Sequence, residues 1–215
     1  MNNTVKLNSK ELRVISEEDV KLAAQELERN PIYLIVENVY DTYNVGGLFR
    51  LADALAVTKL YLVGETETPP NGRILKASCG TYKVVPWAYK ETVVEAIAEI
   101  RRDLSRHSGL DPESSTRKFE ILNPVQDDST VTDHNLLSIA IEQGEGSVPH
   151  FKIPYEVGKP VAFVVGNETY GVTKEATAAC DILAEIPMWG INKSLNVIVS
   201  AAIVTYDYAS RSLQK

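Results

Sequence analysis

The sequence predicts an α/β fold built on a parallel sheet with helices on both faces. Short continuous apolar runs recur at Ile32 to Val36 (IYLIV), Lys59 to Val63 (KLYLV), Ser138 to Ile141 and Val161 to Val165 (VAFVV). Such runs are the pattern of strands buried on both faces. Helical stretches separate them, at about Val45 to Ala56, Glu91 to Leu104 and Thr173 to Cys180, and this alternation implies parallel pairing through helical crossovers. With 215 residues, 44% of them hydrophobic, the chain can bury one sizeable core. The expected organisation is an N-terminal helical extension over 1–30 and one domain over 31–215, carrying an insertion at about 105–137.

Ser16, followed by Glu17, Glu18 and Asp19, opens a helix with acids in its first turn and an apolar face through Val20, Ala23, Ala24 and Leu27. Asn30 and Pro31 end it before the first strand. After Val36 comes a loop in which Asn44 can cap the next helix, the Gly46-Gly47 pair allows close backbone approach, and Arg50 follows. From Ser105 to about Leu137 the composition shifts to Ser, Asp, Pro and Thr, the mark of an insertion or flap, with a short strand at Phe119 to Leu122. A strand through Ile182 to Ile186 leads into the loop Pro187 to Gly190, and Ser194 is placed to cap the helix that follows. That helix, Leu195 to about Leu213, is apolar on nearly every side and should be buried all round, in the core or between subunits.

Charge and cysteine content narrow the function classes. With 22 Lys and Arg against 29 Asp and Glu, a net charge of -7, the chain is not a protein that coats nucleic acid non-specifically. Its two cysteines, Cys79 and Cys180, have no Cys/His ligand spacing, so neither a metal site nor a disulfide framework is expected. Reduced thiols suit a cytoplasmic protein. The amino terminus is polar and lacks the apolar core of a secretory signal. The apolar stretch at Val197 to Tyr206 falls short of the roughly 20 residues of a membrane span, so no membrane partner is expected.

Three loops follow buried strands, where open α/β sheets place their ligands. The first carries Asn44 and Arg50. In the second, VVGNETYGVTKEA, Gly166 lets backbone and ligand meet, Asn167 and Glu168 put polar groups at the sheet edge, and Gly171 suits a turn. The third runs from Ile186 through Ser194 and Leu195 to Asn196, an amide in the first turn of an apolar helix that requires partners. Taken singly, each loop is also an ordinary strand-to-helix turn.

Together, and in this order, the loops resemble the three motifs of the SpoU-like branch of the SPOUT RNA methyltransferases. Asn-x-Gly-x-x-x-Arg stands here as Asn44, Gly46 and Arg50; Gly-Asn-Glu-x-x-Gly as Gly166, Asn167, Glu168 and Gly171; Ile-Pro-Met-x-Gly and Ser-Leu-Asn-Val as Ile186 to Gly190 and Ser194 to Val197. Ser78-Cys79-Gly80 and Ile141-Glu142-Gln143 extend the likeness. The resemblance implies a deep trefoil knot, a rare exception to the rule against knotted chains, with S-adenosylmethionine held in it. Val165, Gly166, Asn167, Gly171, Ile186, Pro187, Met188, Gly190, Ser194 and Leu195 are the implied cofactor contacts. It implies a homodimer too, with the last helix at the seam.

The implied reaction is attack of an RNA ribose 2′-hydroxyl, in tRNA or rRNA, on the cofactor's methyl group. A hydroxyl is a weak nucleophile that must be aligned and stabilised as charge develops. Arg50 is the candidate cation, acting electrostatically because a guanidinium keeps its proton. Glu168, Ser194 and Asn196 would orient it or the substrate, and Asn44 would hold the first loop. His107, His134 and His150 lie in or near the insertion and offer no convincing base. For RNA, the acid-free stretch between Glu67 and Glu91 carries Arg73, Lys76, Lys83 and Lys90 among Tyr82, Trp87 and Tyr89, suited to phosphate contact and base stacking. A Rossmann-type dehydrogenase or methyltransferase is disfavoured because no G-x-G-x-x-G follows the first strand. A non-catalytic RNA-binding or assembly factor on the same fold is the alternative.

Overall fold

The computed structural model describes residues 6–16, 18–20, 22, 27–107 and 136–213. A seven-stranded sheet organises them, comprising β1 (Asn30–Glu37), β2 (Val57–Val63), β3 (Trp87–Lys90), β4 (Leu137–Ile141), β5 (Val148–Pro149), β6 (Val161–Val165) and β7 (Ile182–Glu185). Its order is β3-β2-β1-β6-β4-β7-β5, and every pairing is parallel. The apolar runs predict β1, β2, β4, β6 and β7; the short strands β3 and β5 carry no such run.

The helices are α1 (Ser9–Val14), α2 (Thr42–Ala54), α3 (Gly72–Ala77), α4 (Val93–His107), α5 (Lys174–Ala179) and α6 (Val197–Ser212). Alternation along the central strands divides the core. Ile32, Leu34 and Val36 of β1 join Val161, Phe163 and Val165 of β6 on one face, under α2 and α6. Tyr33 and Ile35 join Ala162 and Val164 on the other, under α4 and α5. Each fully buried Val, Leu, Ile or Phe contributes roughly 1.5–3 kcal/mol, so this two-sided burial is what demands the continuous apolar runs.

Several local expectations change. The first-turn caps are displaced: Asp41, not Asn44, caps α2 by accepting from Tyr43 N at 2.8 Å, and Asn196, not Ser194, caps α6 by accepting from Ile198 N at 2.9 Å. The close approach that Gly46 and Gly47 allow is between helices: a side chain there would meet Ala77 and Ile198, so these glycines let α2 lie against α3 and α6. Helix α6 is buried on one face only, through Val197, Ala201, Val204 and Tyr208, while Val199 is 46% and Tyr206 49% exposed. Ser16 does open a helical segment, with Val20 N donating to Ser16 O at 3.0 Å, and residues 18–20 and 22 are helical. Ala23 and Ala24 lie outside the described residues, as do 108–135, including His134 and the expected strand at Phe119 to Leu122. No helix among the described residues is long and apolar enough to cross a membrane.

Candidate active site

The chain moves from β1 outward to β2 and β3, whereas β6 leads outward on the opposite side to β7. The carboxyl ends of β1 and β6 therefore flank a crevice from which their loops diverge, the position where open α/β sheets bind ligands. Polar groups bind the two lips together. Buried Glu37, at the end of β1, accepts from Thr173 N at 2.9 Å and Thr173 Oγ1 at 2.8 Å. Asn167 donates from Nδ2 to Asn38 O at 2.9 Å. Its Oδ1 accepts from Thr169 N at 2.7 Å and Tyr170 N at 3.0 Å, which curls the second loop.

At the centre is Asn44, 8% exposed. Its Nδ2 donates to Glu168 Oε1 at 2.6 Å, and its Oδ1 accepts from Asn196 Nδ2 at 3.0 Å. One side chain thus joins all three loops. Using both ends of its amide leaves it a single orientation, so Glu168 and Asn196 are held in register.

Beside this bridge lies a cleft of about 280 Å³, near the small end of the roughly 300–1,000 Å³ typical of small-molecule sites. Val165, Gly166, Asn167, Glu168 and Gly171 line one wall, and Ile186, Met188, Ser194 and Leu195 another. Ile141 to Gln143, Tyr170, Lys193 and Ser200 also line it, wall positions that the motif resemblance does not assign to the cofactor. Pro187 and Gly190 are not on the wall; Gly190 is exposed, with open space where a side chain would go. The glycines shape the cleft. A Cβ on Gly166 would collide with the Gly171 carbonyl, and Gly171 has φ +70 with the Glu142 carboxylate against its Cα. That carboxylate is fully engaged, accepting from Val172 N at 3.1 Å and Gln143 N at 2.8 Å. Gln143 Nε2 in turn donates to Lys193 O at 2.9 Å, tethering the third loop.

Two candidates stand apart. Ser194 lines the cleft, but its hydroxyl donates to Asn192 Oδ1 at 3.3 Å rather than to the Asn44 bridge. Arg50 is exposed, lines no part of the cleft and makes no hydrogen bond or ion pair among the described residues. It sits six residues beyond Asn44 on α2, about 9 Å along the axis at ~1.5 Å per residue.

The basic stretch divides as well. Arg73 and Lys76 are exposed. Lys83, however, donates from Nζ to Arg13 O at 3.1 Å, holding the end of α1. Lys90 pairs with Glu99, which also accepts from Lys59 Nζ at 2.9 Å and Tyr61 Oη at 3.0 Å. Lys83 and Lys90, expected from the sequence to meet RNA, thus already have partners within the chain, unlike Arg73 and Lys76. Trp87 is half-buried against Phe49, ring centroids 6.4 Å apart and edge to face, and Tyr82 packs on the core; Tyr89 is 48% exposed.

Fold and site define a parallel α/β protein with a small-molecule cleft built from three loops at the carboxyl edge of its sheet. The chain belongs to the SpoU rRNA Methylase family, whose model matches residues 31–206. A curated relative, the 23S rRNA (guanosine-2′-O-)-methyltransferase RlmB of Neisseria meningitidis, is 24% identical over 181 residues, 84% of this chain and 58% of that protein. The chain spans about three fifths of such relatives, 60% of the Vibrio parahaemolyticus RlmB for example. Among solved structures, the AdoMet-bound rRNA methyltransferase of Sinorhizobium meliloti superposes with a TM-score of 0.65 at 24% identity, covering 94% of this chain and 61% of that one. The A. aeolicus TrmH/SpoU tRNA modifying enzyme gives 0.65 at 23% identity, covering 91% and 83%. At these identities the structural likeness is one of fold.

Proposed function

We propose that the chain is an S-adenosylmethionine-dependent RNA methyltransferase that acts on a ribose 2′-hydroxyl of tRNA or rRNA, as a cytoplasmic homodimer. The observation that carries this is the Asn44 bridge, which sets Glu168 and Asn196 beside a cleft of fitting chemistry. Val165, Ile186, Met188 and Leu195 offer apolar surface to an adenine. Outside the strands no backbone–backbone hydrogen bond among the described residues involves 187–195, so, apart from Lys193 O, held by Gln143, and Ser194 N, which donates to Asn192 Oδ1, their backbone groups are available for its edge. Gly166 and Gly171 leave room for the ribose.

Bound there, the cofactor supplies an electrophilic methyl group; the rest falls to the chain. Glu168 reaches the cleft with Oε1 committed to Asn44 and Oε2 free of any bond among the described residues, a fixed acceptor for the substrate hydroxyl or for a cation that activates it. Arg50 is that cation, stabilising the oxygen as it loses its proton to solvent and gains the methyl. Because Arg50 lies outside its own chain's cleft, a second subunit delivers it, with the exposed Val199 and Tyr206 of α6 at the seam. Arg73 and Lys76 contact the RNA, Lys76 at a phosphate, and the N-terminal extension or the insertion selects it. Residues 186–213 form the threaded end of the family's trefoil knot.

Calorimetry with S-adenosylmethionine tests the reading. Binding is expected, and weakening of that binding by substitution of Leu195 with Glu. No binding by the native chain overturns it.

A further inference from the structure

A second depression, of about 450 Å³, large enough for a nucleobase, is bordered by Tyr40, Asp41, Thr42, Glu67, Asn71 and Arg73. It adjoins the cofactor cleft through a pair of tyrosines. Tyr170, 83% exposed, stands on the wall of the cleft, and Tyr40, 49% exposed, on the wall of the depression. The Tyr40 phenol donates to Glu65 Oε2 at 2.8 Å, which presents its ring in one orientation. That hydrogen bond, ahead of slight desolvation and the nearby charges of Glu65 and Tyr170, raises the phenol's pKa.

The polar groups around the ring are not equivalent. Asp41 Oδ1 is committed to Tyr43 N as the cap of α2, and Asn71 Oδ1 to Arg73 N and Ile74 N as the cap of α3. The exposed Glu67 carboxylate and Arg73 guanidinium have no partner among the described residues. The depression therefore offers a carboxylate and a guanidinium unpaired among the described residues, Glu67 and Arg73, and an oriented aromatic face.

We propose that this depression seats the base of the nucleotide to be methylated, and that Glu67 and Arg73 make it select guanine. The inference rests on the methyltransferase reading above. Guanine places two adjacent donors, N1–H and N2–H, opposite a carboxylate, while its O6 and N7 accept from a guanidinium. Adenine offers the carboxylate one donor beside the N1 lone pair, which repels it, and cytosine likewise pairs one donor with an acceptor. Recognition of an unstacked base by its edge, with an aromatic ring against its face, is how single-stranded RNA is read. The location suits the reaction, since Tyr40 to Thr42 of the depression lead directly into Asn44, and the loop that Asn44 holds through Glu168 lines the cofactor cleft.

The test is an NMR titration of the whole protein, saturated with S-adenosylmethionine, using 5′-GMP, 5′-IMP and 5′-AMP as probes. GMP is expected to shift the amides of Tyr40, Asp41, Gly72 and Arg73, with IMP, which lacks the N2 donors, binding several-fold more weakly and AMP more weakly still. Glu67→Gln should bring GMP and AMP to within about twofold, and Tyr40→Ala should weaken all three nucleotides alike, about tenfold, because the base no longer stacks. Equal binding of GMP and AMP by the native protein, or shifts confined elsewhere, overturns the proposal. Shifts of Gly166, Gly171 and Leu195 on adding the cofactor serve as the separate readout. If those appear and the GMP preference does not, the base seat alone fails; if the cofactor shifts are absent, the methyltransferase reading fails first.

Discussion

Asn44 Nδ2 lies 2.6 Å from Glu168 Oε1, a hydrogen bond between side chains 124 positions apart in sequence. With Asn196 donating to its Oδ1 at 3.0 Å, Asn44 couples the loops after β1 and β6 to the start of α6. Asn44→Ala would leave a carboxylate and an amide without their partner and cost about 1–3 kcal/mol of local order. The expected outcome is a loss of methyl transfer of about a hundredfold or more, as for removal of a fixed polar group from a transition state, with S-adenosylmethionine affinity within a few-fold of native. Single-turnover methylation and calorimetry measure the two. A variant that transfers methyl at the native rate would remove the bridge from catalysis.

The isolation of Arg50 from its own cleft makes complementation informative. The Arg50→Ala and Glu168→Ala variants are both expected to be inactive. If each site combines Arg50 of one subunit with Glu168 of the other, mixing and re-equilibrating them leaves half the dimers mixed, each with one intact site. Activity should then recover to about a quarter of native. No recovery, with mixed dimers confirmed by mass, would place Arg50 in its own subunit's site.

Gly166→Ala tests the architecture of the cleft apart from its chemistry. Its Cβ would meet the Gly171 backbone, where no flexible side chain can give way, so overpacking should cost about 1–3 kcal/mol. A melting temperature lowered by several degrees and loss of cofactor binding are expected. Unchanged cofactor affinity would mean that the two loops can separate without harm to the site.

What the sequence made legible follows from burial. Strands β1 and β6 are covered on both faces and so read as unbroken apolar runs, whereas β3 lies at the sheet edge, half-exposed, and β5 has two residues. Helix α3 spans six residues, too few for a periodic face. The two caps shift for a shared reason: Asp41 and Asn44 both precede or open α2, Ser194 and Asn196 both precede α6, and all four residues are of types that cap well. Only tertiary structure shows that Asn44 is occupied by Glu168 and Asn196. Lys83 and Lys90 read as free cations because their partners, Arg13 O and Glu99, lie on other elements and no local pattern joins them.

That division of the basic stretch predicts different behaviour for its members. Replacing Arg73 and Lys76 together with Ala should weaken RNA binding and reduce the slope of log affinity against log salt by at least about 1, the share of Lys76 at a phosphate, with the loss of Arg73 also relaxing the preference for guanine. Lys83→Ala and Lys90→Ala should leave the slope unchanged and lower thermal stability. A filter-binding salt series with bulk tRNA or rRNA distinguishes the pairs. An equal change of slope for Lys90→Ala would show that it leaves Glu99 to meet RNA.

Glu99 gives the fold its clearest predicted pH dependence. Hydrogen bonds from Lys90 and Lys59, with a further one from Tyr61, hold its carboxyl down to about 2 from the ordinary value of 4.5, against the opposing effect of burial. A carboxylate with a folded pKa below its unfolded one stabilises the fold fully above the unfolded value and loses that contribution as pH falls through the folded value. Glu99 should therefore contribute at pH 7, and its contribution should decline between about pH 4.5 and pH 2. Glu99→Gln is expected to cost about 1–2 kcal/mol at pH 7, since it leaves Lys59 and Lys90 without their partly buried partner. In urea unfolding at a series of pH values, the gap between native and variant should be constant from about pH 7 to pH 5 and close below it. A gap that persists undiminished at about pH 2 would mean that packing of the side chain, not its charge, holds α4 to β2 and β3.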